Sequence, residues 1–406
     1  MDVLKATISI ALLSQAVAAA QGINFGPSIA EITPEWNNVF PVDNFNREVT
    51  TPFWEPTLMN DTTTTEISQQ LNAVSNASFI VYDKEMYRLL NVSDHNASKT
   101  VEVIFKFPDK PSYAQRQIHD GTVYVPEMNA VFFTDLYSPK PGYGMRAIPF
   151  VWRINLSNNS SPNFEKVYPD PPFTIANGAY YHNGAVYWVQ EGNYTTPGGV
   201  VRMDPVTLKT QVVKNNFYTH RFNSPNDIVV SNSGAAFFTD GYYGHDNFND
   251  SLNPQLVNGV YRWDMNTGNI KMVAGAADGG FFNPNGLSFN ADQSKLFVTN
   301  RGNNSADANG ARTIFSYDVT ATGIARREVF AYTDAGFPDG IKTDRDGRVY
   351  GAVTGGVDVF NKDGTLIGRI KVNEDDVAVN MAWVGNWLYI VGRDYVYRVQ
   401  LATTEK

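Results

Sequence analysis

From about residue 118 onward the chain is a succession of short apolar runs separated by Gly, Asn and Asp. The runs are about five residues long and rich in β-branched and aromatic side chains, so they read as strands. Val131-Phe132-Phe133-Thr134-Asp135 is matched in type by Val186–Gln190, Ala236–Asp240 and Leu296–Asn300, with weaker copies at Val349–Val353 and Leu388–Gly392. These runs follow short phrases across tight turns such as Asn183-Gly184 and Asp346-Gly347. The phrases are Asn177-Gly178-Ala179, Asn226-Asp227-Ile228, Asn285-Gly286-Leu287 and Asp339-Gly340-Ile341. A third run recurs as Val201–Asp204, Tyr261–Asp264, Phe315–Asp318 and Val359–Asn361. Strand, hairpin, strand, turn, strand, with a period of roughly forty to sixty residues, is the grammar of a propeller blade. Units starting near 120, 177, 226, 285, 339 and 380 predict an all-β, six-bladed β-propeller over residues 116–406. A β-sandwich also has many short strands, but it gives no reason for an Asn or Asp-Gly at the head of every third or fourth one.

Residues 21–115 read as an irregular extension that packs on the propeller and closes it. Either it covers the channel or it supplies the last blade's outer strand. Pro34, Pro41, Pro52 and Pro56 punctuate its start, a helix is expected about Glu66–Val74, and strands about Phe79–Tyr82 and Val101–Phe105. Residues 1–20 have the outline of a signal peptide. Lys5 supplies the positive end, Ala6–Leu13 the apolar stretch, and Ala16-Val17-Ala18 or Ala18-Ala19-Ala20 the cleavage site. Secretion is therefore expected, and no later apolar run of about twenty residues predicts a membrane span. Glycosylation triplets open at Asn60, Asn76, Asn91, Asn96, Asn155, Asn158, Asn159, Asn193, Asn249 and Asn303. The chain has no cysteine, which excludes thiol catalysis and cysteine-ligated metals. A net charge of −9 argues against a nucleic-acid partner.

A propeller gathers its innermost strands around one axis. Asp120, Asn226, Asn285 and Asp339 would then point oxygens at one ion-sized space, a donor set suited to a hard divalent cation such as Ca²⁺. Two carboxylates balance its charge and two amides add neutral donors. Taken singly, Asn-Gly and Asp-Gly are ordinary turn dipeptides. Their periodicity raises the set as a whole without choosing a metal.

Ser224-Pro225-Asn226-Asp227, Asn283-Pro284-Asn285-Gly286-Leu287 and Phe337-Pro338-Asp339-Gly340 resemble motifs of the gluconolactonase–regucalcin superfamily of six-bladed propellers, as does Phe238–Gly244. Phe79–Glu85 and His119–Glu127 bring the resemblance closer to secreted fungal lactonohydrolases. The resemblance covers nearly all of the mature chain. It implies a lactonase with one divalent cation, usually Ca²⁺, held by Asn226, Asn285 and Asp339. The family's remaining ligand is a Glu on the first blade, where this chain has Asp120. That side chain is one methylene shorter, so the ion shifts, a water fills in, or affinity drops. Glu127 is the lesser substitute. The resemblance also makes Asp339 the candidate base that takes a proton from the attacking water. Asn177, Tyr243, Asn300 and Arg301 are candidate substrate contacts, and Asn380 completes the ring structurally. His119 and His220 are either proton relays or ordinary loop residues. The expected substrate is a small lactone. The alternatives are a biosynthetic propeller that cyclises or rearranges a small molecule, and a Ca²⁺-stabilised binding protein.

Overall fold

The computed structural model describes residues 22–41, 47, 65–107, 119–136, 148–157, 162–276, 280–302, 310–373 and 376–405. Strands Val123–Val125, Ala130–Phe133, Val151–Asn155 and Asn163–Val167 form the first four-stranded blade. The second comprises Ala176–His182, Ala185–Gln190, Gly199–Met203 and Thr210–Lys214, and the third Pro225–Val230, Ala235–Asp240, Gly259–Asp264 and Ile270–Gly275. The fourth comprises Pro284–Phe289, Lys295–Arg301, Arg312–Thr320 and Gly323–Tyr332. Ile341–Thr343, Val349–Val353, Gly356–Phe360 and Leu366–Lys371 follow as another antiparallel meander. The last sheet contains Ala378–Val384, Trp387–Gly392 and Tyr395–Gln400. First strands touch in chain order, and that of the last sheet returns to Val123–Val125, so the sheets surround one axis.

The expectation of six like blades needs correction. Five sheets are four-stranded blades. The unit beginning near 339 is instead part of a seven-stranded sheet, because Phe79–Val81 pairs with the outer edge of Leu366–Lys371 and Ile29–Ile32 and Ile23–Phe25 add beyond it. An open strand edge is a liability, and this one is covered by the chain's own beginning. The extension also supplies an outer strand: Glu102–Lys106 pairs antiparallel with Tyr395–Gln400. Arg398 Nε donates to Glu102 across that pair at 2.7 Å.

Two helices occupy the extension. Thr65–Asn76 turns Ile67, Leu71 and Val74 onto the added strands. Lys84–Leu90 starts where the Asp83 carboxylate accepts Glu85 N–H at 2.7 Å, and it buries Met86, Tyr87, Leu89 and Leu90 against the last two sheets. Apolar faces between adjacent sheets make the core, with Trp188, Phe132, Phe237 and Tyr350 fully buried. The Asn183-Gly184 turn has both residues at positive φ, the geometry a two-residue hairpin requires. No helix among the described residues is long and apolar enough to cross a membrane. Asn76, Asn91, Asn96 and Asn249 are exposed, while Asn155 and Asn193 are half-buried. Residues 1–20, Asn60, Asn158, Asn159 and Asn303 lie outside the described residues.

Candidate active site

The Asx phrases sit at the axis for identifiable reasons. Pro225 and Pro284 open first strands, whose axial edge needs no ladder donor. Pairing then slips between Pro225 and Ile228, and again between Pro284 and Leu287. Asn226-Asp227 and Asn285-Gly286 therefore lie in bulges, which re-aim side chains at a strand end. The glycine that three of the phrases carry marks close approach of the next sheet. A Cβ on Gly286 would stand 2.7 Å from Asp339 O, and one on Gly340 2.6 Å from the Asn380 side chain. A threonine at the end of three of the second strands ties these backbones together. Thr239 Oγ1 donates to Asn285 O at 2.6 Å and accepts from Asp227 N–H at 3.0 Å. Thr299 Oγ1 donates to Asp339 O at 2.8 Å, and Thr134 Oγ1 accepts from Asp120 N–H at 3.1 Å.

Asp120, Asn177, Asn226, Asn285 and Asn380 are all buried, and Asp339 is half-buried. Asn380 Nδ2 donates to Asp120 Oδ1, which also accepts Gly121 N–H at 2.7 Å. Tyr243 OH donates to Pro284 O at 3.2 Å, so it accepts from Asn285 Nδ2 at 3.1 Å. Asn177 Nδ2 donates to the Glu191 carboxylate at 2.9 Å. Both amides thus turn their oxygens away from these partners. Asn177 Oδ1, Asn226 Oδ1 and Asn285 Oδ1 are buried with no hydrogen-bond partner among the described residues. Buried acceptors are normally satisfied, and three orphans of one kind call for a ligand. Burial, and then the charge of Asp120, push the Asp339 carboxyl up to about 7, while Arg301, Arg393 and the Asn285 amide oppose the shift. Burial likewise raises Asp120, opposed by Asn380, Gly121 N–H and Lys342.

The donors are all oxygens, carboxylate and amide, as a hard cation requires. Among the described residues no group of three or more His, Cys, Asp or Glu could hold a metal unaided. The candidate set fits a cation only through its mixture of two carboxylates with orphaned amides.

Other expected contacts have different surroundings. Asn300 Oδ1 accepts Phe282 N–H at 2.9 Å and Asn283 N–H at 3.2 Å. Asp240 does the same for Asn223 and Ser224 N–H, and Gln190 for Thr174 N–H. The strand-end amide or acid therefore caps the entering loop, which engages the Asn300 oxygen expected to meet substrate. Tyr243, in the π-helical turn Tyr243–Asn247, is buried behind Asn285 and orients that amide; burial raises its phenol above the ordinary value. His119 is packed: its ring stacks on Phe107 at 3.7 Å and Nδ1 meets Gly392 O at 2.8 Å. His220 is exposed on a short hairpin. Glu127 belongs to the 3₁₀ turn Pro126–Met128, beyond the far end of the first strand from Asp120.

Three residues were not singled out from sequence. Glu191 directs Asn177, and its signal is an acid directly after a second strand. Asp227 stands where the other phrases have glycine. Its carboxylate accepts Ile228 N–H at 2.8 Å and, from the next blade, Leu287 N–H at 3.2 Å. Burial pushes it up to about 7 against the pull of Lys342. Lys342 itself donates to Asn380 Oδ1 at 3.4 Å.

The fold is a β-propeller whose first strands bring buried, unpartnered amide oxygens around one axis. Residues 81–391 match the family model described as SMP-30/Gluconolactonase/LRE-like region, and the chain belongs to that family. It is 30% identical over 355 residues to lactonohydrolase oryL of Aspergillus oryzae, covering 80% of this chain and 75% of that protein. It is 28% identical over 306 residues to a gluconolactonase of Zymomonas mobilis, covering 71% and 79%. Among solved structures, a gluconolactonase from Xanthomonas campestris superposes with a TM-score of 0.62 at 21% identity, covering 79% of this chain and 94% of that one. A regucalcin from Agrobacterium tumefaciens, described as calcium-binding, gives 0.54 at 13%, covering 76% and 95%. These two likenesses are likenesses of fold.

Proposed function

We propose that this protein is a secreted, metal-dependent lactone hydrolase. The observation that carries the reading is the pair of buried, orphaned amide oxygens of Asn226 and Asn285 on neighbouring first strands, together with carboxylates of Asp120 and Asp339 close enough to act on one another. Those four residues would hold one divalent cation, most suitably Ca²⁺, and Asn177 adds a further free oxygen at the rim. Residues 1–20 direct export, and the exposed Asn76, Asn91, Asn96 and Asn249 carry glycans.

When bound, the cation supplies polarisation of the lactone carbonyl. The chain does the rest. Asp339 takes a proton from the attacking water as the new C–O bond forms, and returns it to the ring oxygen as the ester bond breaks. Asn380, itself held by Lys342, holds Asp120 in place, and Tyr243 and Thr239 fix Asn285 through its amide and its carbonyl. Asn177, its amide nitrogen held by Glu191, has its oxygen left to accept from a substrate hydroxyl. The likeness to lactonohydrolase and gluconolactonase chains supports the reaction class.

Hydrolysis of an aldonolactone releases an acid, so a pH-indicator assay reads it directly. Turnover that stops with chelator and returns with Ca²⁺ is the expected result. Turnover unchanged by chelation removes the metal, and binding without turnover on any lactone removes the hydrolase.

A further inference from the structure

Arg301 ends the strand Lys295–Arg301, one residue after the Asn300 cap. Its guanidinium carbon lies 4.1 Å from the Phe337 ring centroid and 5.5 Å from that of Tyr243. Phe337 is two residues before Asp339, and the Tyr243 hydroxyl meets Asn285 Nδ2 at 3.1 Å. The flat cation is therefore stacked against two aromatics, each attached to one of the proposed metal ligands. Stacking of this kind fixes the plane of the guanidinium without using its donors.

The donors are available. Among the described residues the Arg301 guanidinium makes no hydrogen bond and no ion pair, Asp339 included, whereas Arg153, Arg348, Arg369 and Arg398 each meet a carboxylate. Arg301 is also half-buried. A partly desolvated fork of N–H groups, held rigid and left unengaged, is matched by a ligand with two parallel acceptors. Asp120 and Asp339 together balance a divalent cation, which leaves the guanidinium charge for something else. Its field reaches the centre, since it opposes the upward shifts of both Asp339 and Tyr243.

We propose that Arg301 is the specificity-determining residue of this site, and that the preferred substrate is a lactone carrying a free carboxylate, received bidentately by its guanidinium. The inference rests on the lactone-hydrolase reading above and deepens it. A hydroxyl-rich neutral lactone offers Arg301 single hydrogen bonds only.

The test compares a γ-lactone bearing a free carboxylate with the same lactone carrying the primary amide in its place. Wild-type protein should favour the carboxylate by about 10- to 100-fold in kcat/KM, the worth of a charge-assisted pair, with the difference in KM. In Arg301→Met the carboxylate-to-amide ratio should fall to near unity, and in Arg301→Lys, which keeps the charge but loses the fork, to an intermediate value. Equal use of both lactones by wild type, or a ratio unchanged in Arg301→Met, overturns the proposal. If neither lactone is hydrolysed, the hydrolase reading fails separately, and calorimetric titration with the same two compounds decides this one. A carboxylate preference that disappears in Arg301→Met sustains it, and no preference ends it.

Discussion

The hydroxyl of Thr299 donates to the backbone carbonyl of Asp339 at 2.8 Å, so one blade holds the main chain beneath a candidate ligand of the next sheet. Thr239 does the same for Asn285 at 2.6 Å. The ring is thus positioned by second strands as much as by first strands. Thr299→Val keeps the shape and removes the donor from a half-buried carbonyl. It should cost about 1–3 kcal/mol of stability and weaken cation binding about 10- to 100-fold. Urea unfolding and calcium titration of the same preparation check the two effects.

Gly286→Ala should disturb the site more than the fold. Its Cβ would meet Asp339 O at 2.7 Å and Gly340 Cα at 3.0 Å, both backbone atoms that cannot swing aside. The main chain under Asp339 must move. The expected result is a stability loss of roughly 1–3 kcal/mol together with loss of turnover. Wild-type rates in Gly286→Ala would show that the close approach does not matter.

Asp339→Asn keeps an oxygen donor while removing the proposed base. Its turnover should fall at least about 10²-fold, with circular dichroism unchanged. Asp339→Asn and Asp120→Asn each remove one of the two balancing charges and should weaken cation binding; in excess Ca²⁺ turnover should recover in Asp120→Asn but not in Asp339→Asn, which also lacks the base.

Asp240 provides a pH test away from the reacting atoms. It is fully buried, and burial pushes its carboxyl from 3.8 up to about 7 against the donors Asn223 and Ser224 N–H. Between those values the folded protein keeps a proton that the unfolded chain has lost. Folded protein then binds more protons, and stability falls as pH rises through the window. Asp227 and Asp339 shift in the same direction, so the comparison is with Asp240→Asn, measured in excess Ca²⁺. The variant loses an acceptor and should melt lower. Its Tm should nevertheless decline less than wild type between about pH 4 and pH 7. Parallel curves would remove Asp240 as the titrating group.

Much of this arrangement was legible because periodic chemistry has periodic causes. The Asx phrases, the strand runs after them and the Asn183-Gly184 hairpin all occur where the chain pattern puts them. The helix Thr65–Asn76 matches its apolar spacing. The seven-stranded sheet was not legible, since Phe79–Val81 and Ile29–Ile32 read as strands or irregular chain with no sign of their partner. The helix Lys84–Leu90 has a sequence signal in the Asp83 cap and the spacing of Met86, Leu89 and Leu90, but it is short enough to be lost among strands. Of the expected substrate contacts, Asn300 has its oxygen engaged by a loop and Tyr243 its hydroxyl engaged by Asn285. Direction of a side chain depends on neighbours from other blades, which no local pattern encodes. For the same reason Lys342, which meets Asn380 of the neighbouring sheet, emerges only when the sheets are brought together, whereas Glu191 lies in the same blade as Asn177 and has a local signal.

Equilibrium dialysis of metal-stripped protein against Ca²⁺, followed by metal analysis, addresses the central claim most directly. Wild-type protein should retain one ion per chain, and the folded Asn226→Ala/Asn285→Ala variant should retain none. Undiminished calcium in that variant would contradict a cation held by these amides.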